Sequence, residues 1–176
     1  MERLTRNKIA IYSAGKTWAG HGFRDMRDNH GFNINARWID IQDILADPND
    51  TFAPEIHNDH EYLGNVWDNG CKQDCLSADM GILFAQPADG EKHSGSLVEL
   101  GHITAFNKPV YIIGTCASVE PAGHSDRAWK YQSCVYHWPH ISDMLEGFKT
   151  AVQHYQKNYK SQWLANNRLA MQSKAA

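Results

Sequence analysis

The chain has 176 residues, 42% hydrophobic and 11% aromatic, which suits one well-packed domain and leaves no room for several. A formal charge of -3 and a pI near 6.3 argue against a nucleic-acid surface, where a basic stripe is expected, and point to a small-molecule ligand. No run reaches the roughly 18 apolar residues of a membrane span, and the N-terminus lacks the apolar centre of a signal peptide, so a cytoplasmic location is expected.

Residues 8–12 read as a first strand that runs into the loop Ser13, Ala14, Gly15, Lys16 and Thr17. A helix over about 19–29 ends at His30-Gly31, and a second strand over 33–39 brings Trp38 and Asp40 to the same sheet edge as the first loop if the sheet is parallel. Residues 47–54 form a turn-rich loop expected near a pocket, and a helix is predicted over about 58–75. Asp79 then opens a short apolar run, 80–85, of the length of a buried parallel strand. Ser94-Gly95-Ser96 carries the hydroxyls and free amides of a helix N-terminus, and Pro109 forbids helix beyond Asn107-Lys108. Residues 110–114 read as another strand, so strand, loop, helix and strand make a βαβ unit with a right-handed crossover.

Residues 115–132 form a long loop that holds Trp129 and Tyr131, of a length usual for a functional lid or a disordered segment. Ile141, Met144, Leu145, Phe148, Val152, Tyr155, Tyr159 and Trp163 recur at steps of three and four, the stripe of an amphipathic helix. Its length beyond Tyr155 exceeds what one small sheet is expected to cover, so the stripe predicts a homo-oligomer, and the polar tail 166–176 is expected to fray. No repeat, low-complexity tract or second domain is visible. The expected architecture is a single α/β domain, flavodoxin-like or Rossmann-like, with a core over about 8–155: a parallel sheet flanked by helices, and a long C-terminal helix.

Within this pattern Glu99 stands out as a carboxylate in the first turn or two of an otherwise apolar helix. The helix dipole and unpaired amides favour its charge, while apolar neighbours partly desolvate it and keep it nucleophilic. In an open α/β sheet such a residue falls where ligands bind, at the carboxyl ends of the strands.

Cys71, Cys75, Cys116 and Cys134 do not make a disulfide scaffold in a domain of this size. His57 and His60, followed by Cys71 and Cys75, offer two imidazoles and two thiols at short spacing. The histidine pair comes first, however, and the cysteine spacing is that of successive helical turns, so surface histidines and half-buried thiols are the preferred reading and no metal or cofactor is expected.

Ala78-Asp79, the strand after it, Ser94-Gly95, Glu99-Leu100-Gly101 and Asn107-Lys108-Pro109-Val110 together resemble the nucleoside 2-deoxyribosyltransferase family, which includes nucleoside 5'-monophosphate N-glycosidases. The first strand and its loop resemble the family's opening strand and its tyrosine-plus-small-residue loop, and the likeness covers roughly residues 8–115. It implies that Glu99 is the nucleophile, that Asp79 is an acid or a base-positioning group, that Tyr12 lies near the sugar, and that subunits share active sites. Asp79 also fits a loop-capping role at a strand end, and Tyr12 a core position with a satisfied hydroxyl.

That chemistry suits the residues, because cleavage of an N-glycosidic bond passes through an oxocarbenium-like state that a carboxylate stabilises or captures. Ser13, Gly15, Lys16, Trp38, Asp40, Ser94, Gly95 and Ser96 complete the expected binding set. One departure concerns specificity: members acting on free nucleosides usually carry an acidic residue six before the glutamate, where this chain has His93. Hydroxyls and amides at a helix start, with Lys16 opposite, suit a 5'-phosphate better. His102 occupies a variable family position and fits an interface or a satisfied histidine. The expected activity is cleavage or transfer of the N-glycosidic bond of a nucleoside or its monophosphate. The alternatives are strict hydrolysis of a deoxynucleoside monophosphate and a catalytically idle nucleotide-binding module.

Overall fold

Short apolar runs that are buried on both faces build the centre of the molecule. The computed structural model describes residues 4–40, 67–87, 93–116, 118–119 and 133–165. Among them β1 (Ala10–Ala14), β2 (Asn33–Ile34), β3 (Met80–Ala85), β4 (Val110–Gly114) and β5 (Val135–Trp138) form one sheet in the order β2-β1-β3-β4-β5. Every pair is parallel. All six residues of β3 and all five of β4 are buried, as a parallel sheet covered on both faces requires. The flanking helices are α1 (Gly20–Asp28), α2 (Lys72–Ser77), α3 (Ser94–Thr104) and α4 (Met144–Asn158). This is the α/β, flavodoxin/Rossmann-like arrangement expected from the sequence.

Two glycines set how closely the layers approach. A Cβ on Gly81 of β3 would lie 2.8 Å from Ile103 Cδ1 and 3.0 Å from Leu100 Cδ2, so the bare backbone lets α3 settle onto that face of the sheet. Gly114 ends β4 with φ +78°, and a Cβ there would fall 2.1 Å from the Ala85 carbonyl oxygen. On the opposite face α1 and α4 meet through Phe23 and Phe148, whose ring centres are 6.0 Å apart. Asp143 caps α4, accepting a bond from the Glu146 amide at 2.7 Å.

Several elements differ from expectation. β1 lies two residues further along than residues 8–12, because residues 6–8 form a 3-10 turn. The second strand is only two residues long: Asn35 turns its side chain to Asp74 O and Ser77 Oγ, and the chain enters a 3-10 turn at Arg37–Asp40. β5 was not foreseen. It is a four-residue edge strand, half-buried throughout and held by aromatic stacking, with Tyr111 5.3 Å from both Tyr136 and Trp138. The helix predicted over 58–75 is seen from Trp67, as a π-helical turn (Trp67–Cys71) that continues into α2. The loop 47–54, Trp129, Tyr131 and the tail 166–176 lie outside the described residues.

The C-terminal stripe requires a correction. Phe148, Val152 and Tyr155 are buried, and Trp163 is 5% exposed, all within the single chain. The stripe therefore gives no argument for a second subunit, because this sheet does cover it. Trp163 reaches the amino edge of the sheet and bonds the Asp79 carboxylate, which also accepts the Ala10 amide at 2.8 Å. Lys108 completes that anchor, donating to the Leu76 and Ala78 carbonyls at 2.7 Å each. No helix among the described residues is long and apolar enough to cross a membrane.

Trp163→Ala should accordingly cost about 3–5 kcal/mol of stability, since it empties a core site and removes a bond to a buried carboxylate. Urea unfolding reads this directly, and an unchanged midpoint would contradict the anchor.

Candidate active site

The strand order reverses at β1, whose neighbours are β2 on one side and β3 on the other. In such sheets ligands bind outside the carboxyl ends of the strands at the reversal point. The loop after β1 and the first turns of α3 meet at this point: Ser96 Oγ donates to the Gly15 carbonyl at 3.4 Å. Gly15 is confined by the Phe23 ring and the Phe84 carbonyl, each 3.3 Å from where a Cβ would stand.

Register explains which side chains face α3. Tyr12 is paired with Gly81, the residue on which α3 rests, and so projects from the same face of the sheet. Its hydroxyl is fully buried and makes no hydrogen bond of acceptable geometry. The hydroxyl nevertheless lies close enough to Glu99 for the two groups to perturb each other: burial first, then the Glu99 charge, pushes the phenol far above its ordinary range. Cys71 and Cys75 belong to the same group. Burial and then the Glu99 charge raise the Cys71 thiol to about 11, and the same causes raise Cys75. Both thiols are buried, one helical turn apart, on the segment that packs against α3.

The helix carrying these thiols is locked by Asp74, a buried carboxylate that accepts from the Arg37 amide at 2.8 Å and from Arg37 Nε at 2.9 Å. A clamp formed by residues distant in sequence thus fixes where Cys71 and Cys75 stand.

Glu99 occupies the second turn of α3 and is only partly exposed. Burial raises its pKa to about 7, and the nearby Tyr12 hydroxyl and Cys71 thiol oppose the rise only in part. This corrects the expectation that the helix dipole keeps the group ionised. The dipole fades after the first turn, and desolvation outweighs it.

The other predicted residues separate into those near Glu99 and those elsewhere. Gly95 and Ser96 lie in the first turn of α3, which Ser94 opens, and no side chain caps that helix start. Lys16, half-buried, stands in the loop after β1. Ser13 alternates to the face opposite Tyr12, where its hydroxyl is buried without a hydrogen bond, while its carbonyl accepts from Trp38 Nε1 at 2.9 Å. Trp38 also packs edge-on against Phe23 at 5.8 Å, which makes it a brace for the β1 loop.

Asp40 and Asp79 are not brought to Glu99. The Asp40 carboxylate is held by Arg27 in a two-point bond of 2.7 and 2.9 Å, which keeps its pKa below the usual range. Asp79 precedes β3 and so sits at the amino edge, one strand length from the ligand edge, where burial raises its pKa despite bonds from Ala10 and Trp163. In this position Asp79 anchors β1 to the residue before β3. His57 and His60 lie outside the described residues, and no cluster able to hold a metal is found among the described ones.

Sequence reasoning missed the two thiols as neighbours of Glu99, although their spacing marked one helical face. It also missed Trp18, 48% exposed and edge-on to Phe84 at 6.1 Å, in the segment after Lys16. Comparisons with protein-family models, curated proteins and solved structures find no match to this chain.

The buried carboxylate makes a signed prediction. A glutamate whose folded pKa is raised from 4.5 to about 7 stabilises the fold fully below pH 4.5 and loses that contribution as pH climbs through about 7. Glu99→Gln should therefore gain stability over the native protein at pH 8, by up to about 3 kcal/mol, and lose the gain at pH 4. Denaturant titrations at the two pH values measure it, and a pH-independent difference would contradict the burial of an ionisable group.

Proposed function

We propose that the protein cleaves or transfers the N-glycosidic bond of a nucleoside or its 5'-monophosphate, with Glu99 as the nucleophile. The observation that carries this reading is the partly desolvated Glu99 carboxylate on α3, next to the buried Tyr12 hydroxyl and beside the strand-order reversal. A carboxylate in that position can meet the anomeric carbon as positive charge develops there and form a glycosyl ester, which water or a second base then resolves. With a pKa near 7, the group is ionised in part at neutral pH and poorly solvated, which keeps it nucleophilic. In this reading Tyr12 orients it once substrate is bound.

The start of α3 and the loop after β1 that carries Lys16 meet through Ser96 and Gly15, a setting that favours a phosphorylated substrate. Trp18 offers a flat apolar surface for the departing base. In the same reading a second copy packs on the outer flank of α3, where Val98 and Phe106 are 56% and 58% exposed. Hydrolysis and transfer differ only in what accepts the sugar.

Incubation with nucleosides and their 5'-monophosphates, followed by chromatography for free base, tests the reading. Base release should rise with pH through about 7 and level off above it, as Glu99 ionises. Glu99→Gln should reduce it at least about 100-fold, while Lys16→Ala should weaken monophosphates more than nucleosides. Near-native turnover by Glu99→Gln would refute the mechanism, and adding a second base separates transfer from hydrolysis. Ligand binding without any base release would favour the idle binding module.

A further inference from the structure

We infer that the cavity at the amino edge of the sheet, between the N-terminal segment and α4, is a second ligand site, which binds a phosphate monoester on a small organic body and takes its anion with Arg6 and Lys149. The site lies away from the carboxyl edge where Glu99 stands, and it does not depend on the proposed reaction.

The geometry begins with the backbone. The chain enters β1 from a 3-10 turn (Arg6–Lys8), and Gly31 and Phe32 lead into β2, so both segments stand at the amino ends of paired parallel strands. The other wall is one stripe of α4: Lys149, Val152, Gln153 and Gln156 recur at steps of one to three residues along a single side and line the same space. These segments surround about 670 Å³, within the roughly 300–1,000 Å³ of sites for small organic ligands and far more than a bare phosphate fills. The walls are tied to the frame. Gln156 Nε2 donates to the Leu4 carbonyl at 2.8 Å, and the Arg6 guanidinium lies 5.5 Å from the centre of the Phe32 ring. The cavity is therefore formed before any ligand arrives, which spares binding the cost of ordering it.

Charge decides what kind of ligand fits. The chain carries a formal charge of -3, yet none of the residues lining this cavity is acidic. Arg6 and Lys149 are both exposed, and neither has a carboxylate partner among the described residues. Asn7 adds a donor: its Oδ1 accepts from the Thr5 hydroxyl at 2.5 Å, which leaves the amide NH2 for another partner. A guanidinium fork, an ammonium and an amide supply more donors than the two oxygens of a carboxylate use, whereas a phosphate monoester brings three terminal oxygens and close to two negative charges for the two cations. The buried side chains of Leu4, Phe32 and Val152 form an apolar floor, against which the organic part of the ligand takes up the remaining volume.

The test titrates the full chain, labelled with 15N, with phenyl phosphate and follows the amide resonances. Those of residues 4–7, 31–32 and 149–156 should shift saturably, with a dissociation constant of about 1 mM or tighter. Inorganic phosphate lacks the organic body, phenol lacks the anion, and benzoate carries a carboxylate instead; each should bind there at least about tenfold more weakly. Arg6→Ala and Lys149→Ala should each weaken phenyl phosphate about fivefold or more. Lys149→Ala removes only an exposed side chain, so it keeps the test decisive if the loss of Arg6 from the Phe32 ring disturbs the N-terminal segment. Shifts that appear only around Glu99, or an affinity that Lys149→Ala leaves unchanged, overturn the inference. Benzoate or inorganic phosphate binding as tightly as phenyl phosphate overturns it as well. Because phenyl phosphate is not a nucleoside, a failure to release base from nucleosides or nucleotides leaves this result untouched.

Discussion

Burying a carboxylate is the constraint around which this structure is arranged. An isolated charge in an apolar site is expensive, and proteins meet the cost by pairing it, by hydrogen bonding it, or by letting it take up a proton. Glu99 has no cationic partner among the charges that shift it, only a phenol and a thiol, and its pKa rises to about 7. Much of the fold serves to create this situation. Gly81 admits α3 to the sheet, the register of β1 with β3 turns Tyr12 to the same face, and the Asp74–Arg37 clamp fixes the helix that supplies the thiols.

The two edges of the sheet divide the labour. At the amino edge Asp79, Lys108 and Trp163 tie β1, β3 and the C-terminal segment together with buried polar bonds. At the carboxyl edge the polar groups are left less satisfied: α3 begins without a side-chain cap and the Tyr12 hydroxyl is buried without a bond. Unsatisfied buried groups cost stability, so the two edges contribute unequally to it.

How much of this could be read from the residues depended on whether the deciding force was local. β3, β4 and α3 were legible, because continuous apolar runs, Pro109 and the Ser94-Gly95-Ser96 start are local signals. β2 was overestimated because Asn35 spends its side chain on α2, a tertiary choice that periodicity does not show. β5 escaped because a four-residue edge strand, half-buried on both faces, carries no clear alternation. The structure sets the Tyr12 hydroxyl near Glu99, whereas Asp79 stands at the opposite, amino edge of the sheet. It precedes its strand, and in a parallel sheet residues before a strand lie opposite those that follow it. Cys71 and Cys75 were visible as a helical pair, but which group they face is set by packing between α2, α3 and β1. The ion pair that removes Asp40 is likewise a contact between α1 and the 3-10 turn after β2.

The central claim is that the Glu99 carboxylate meets the anomeric carbon. A nucleoside monophosphate bearing fluorine at the sugar 2' position slows formation and breakdown of a glycosyl ester by destabilising the oxocarbenium ion, and an activated base lets the ester form. Mass spectrometry of the protein after incubation with such a compound tests the claim most directly. The account predicts a gain of one fluorosugar phosphate on the peptide containing Glu99. Label on another carboxylate, or base release from the ordinary substrate while no condition labels Glu99, would contradict it.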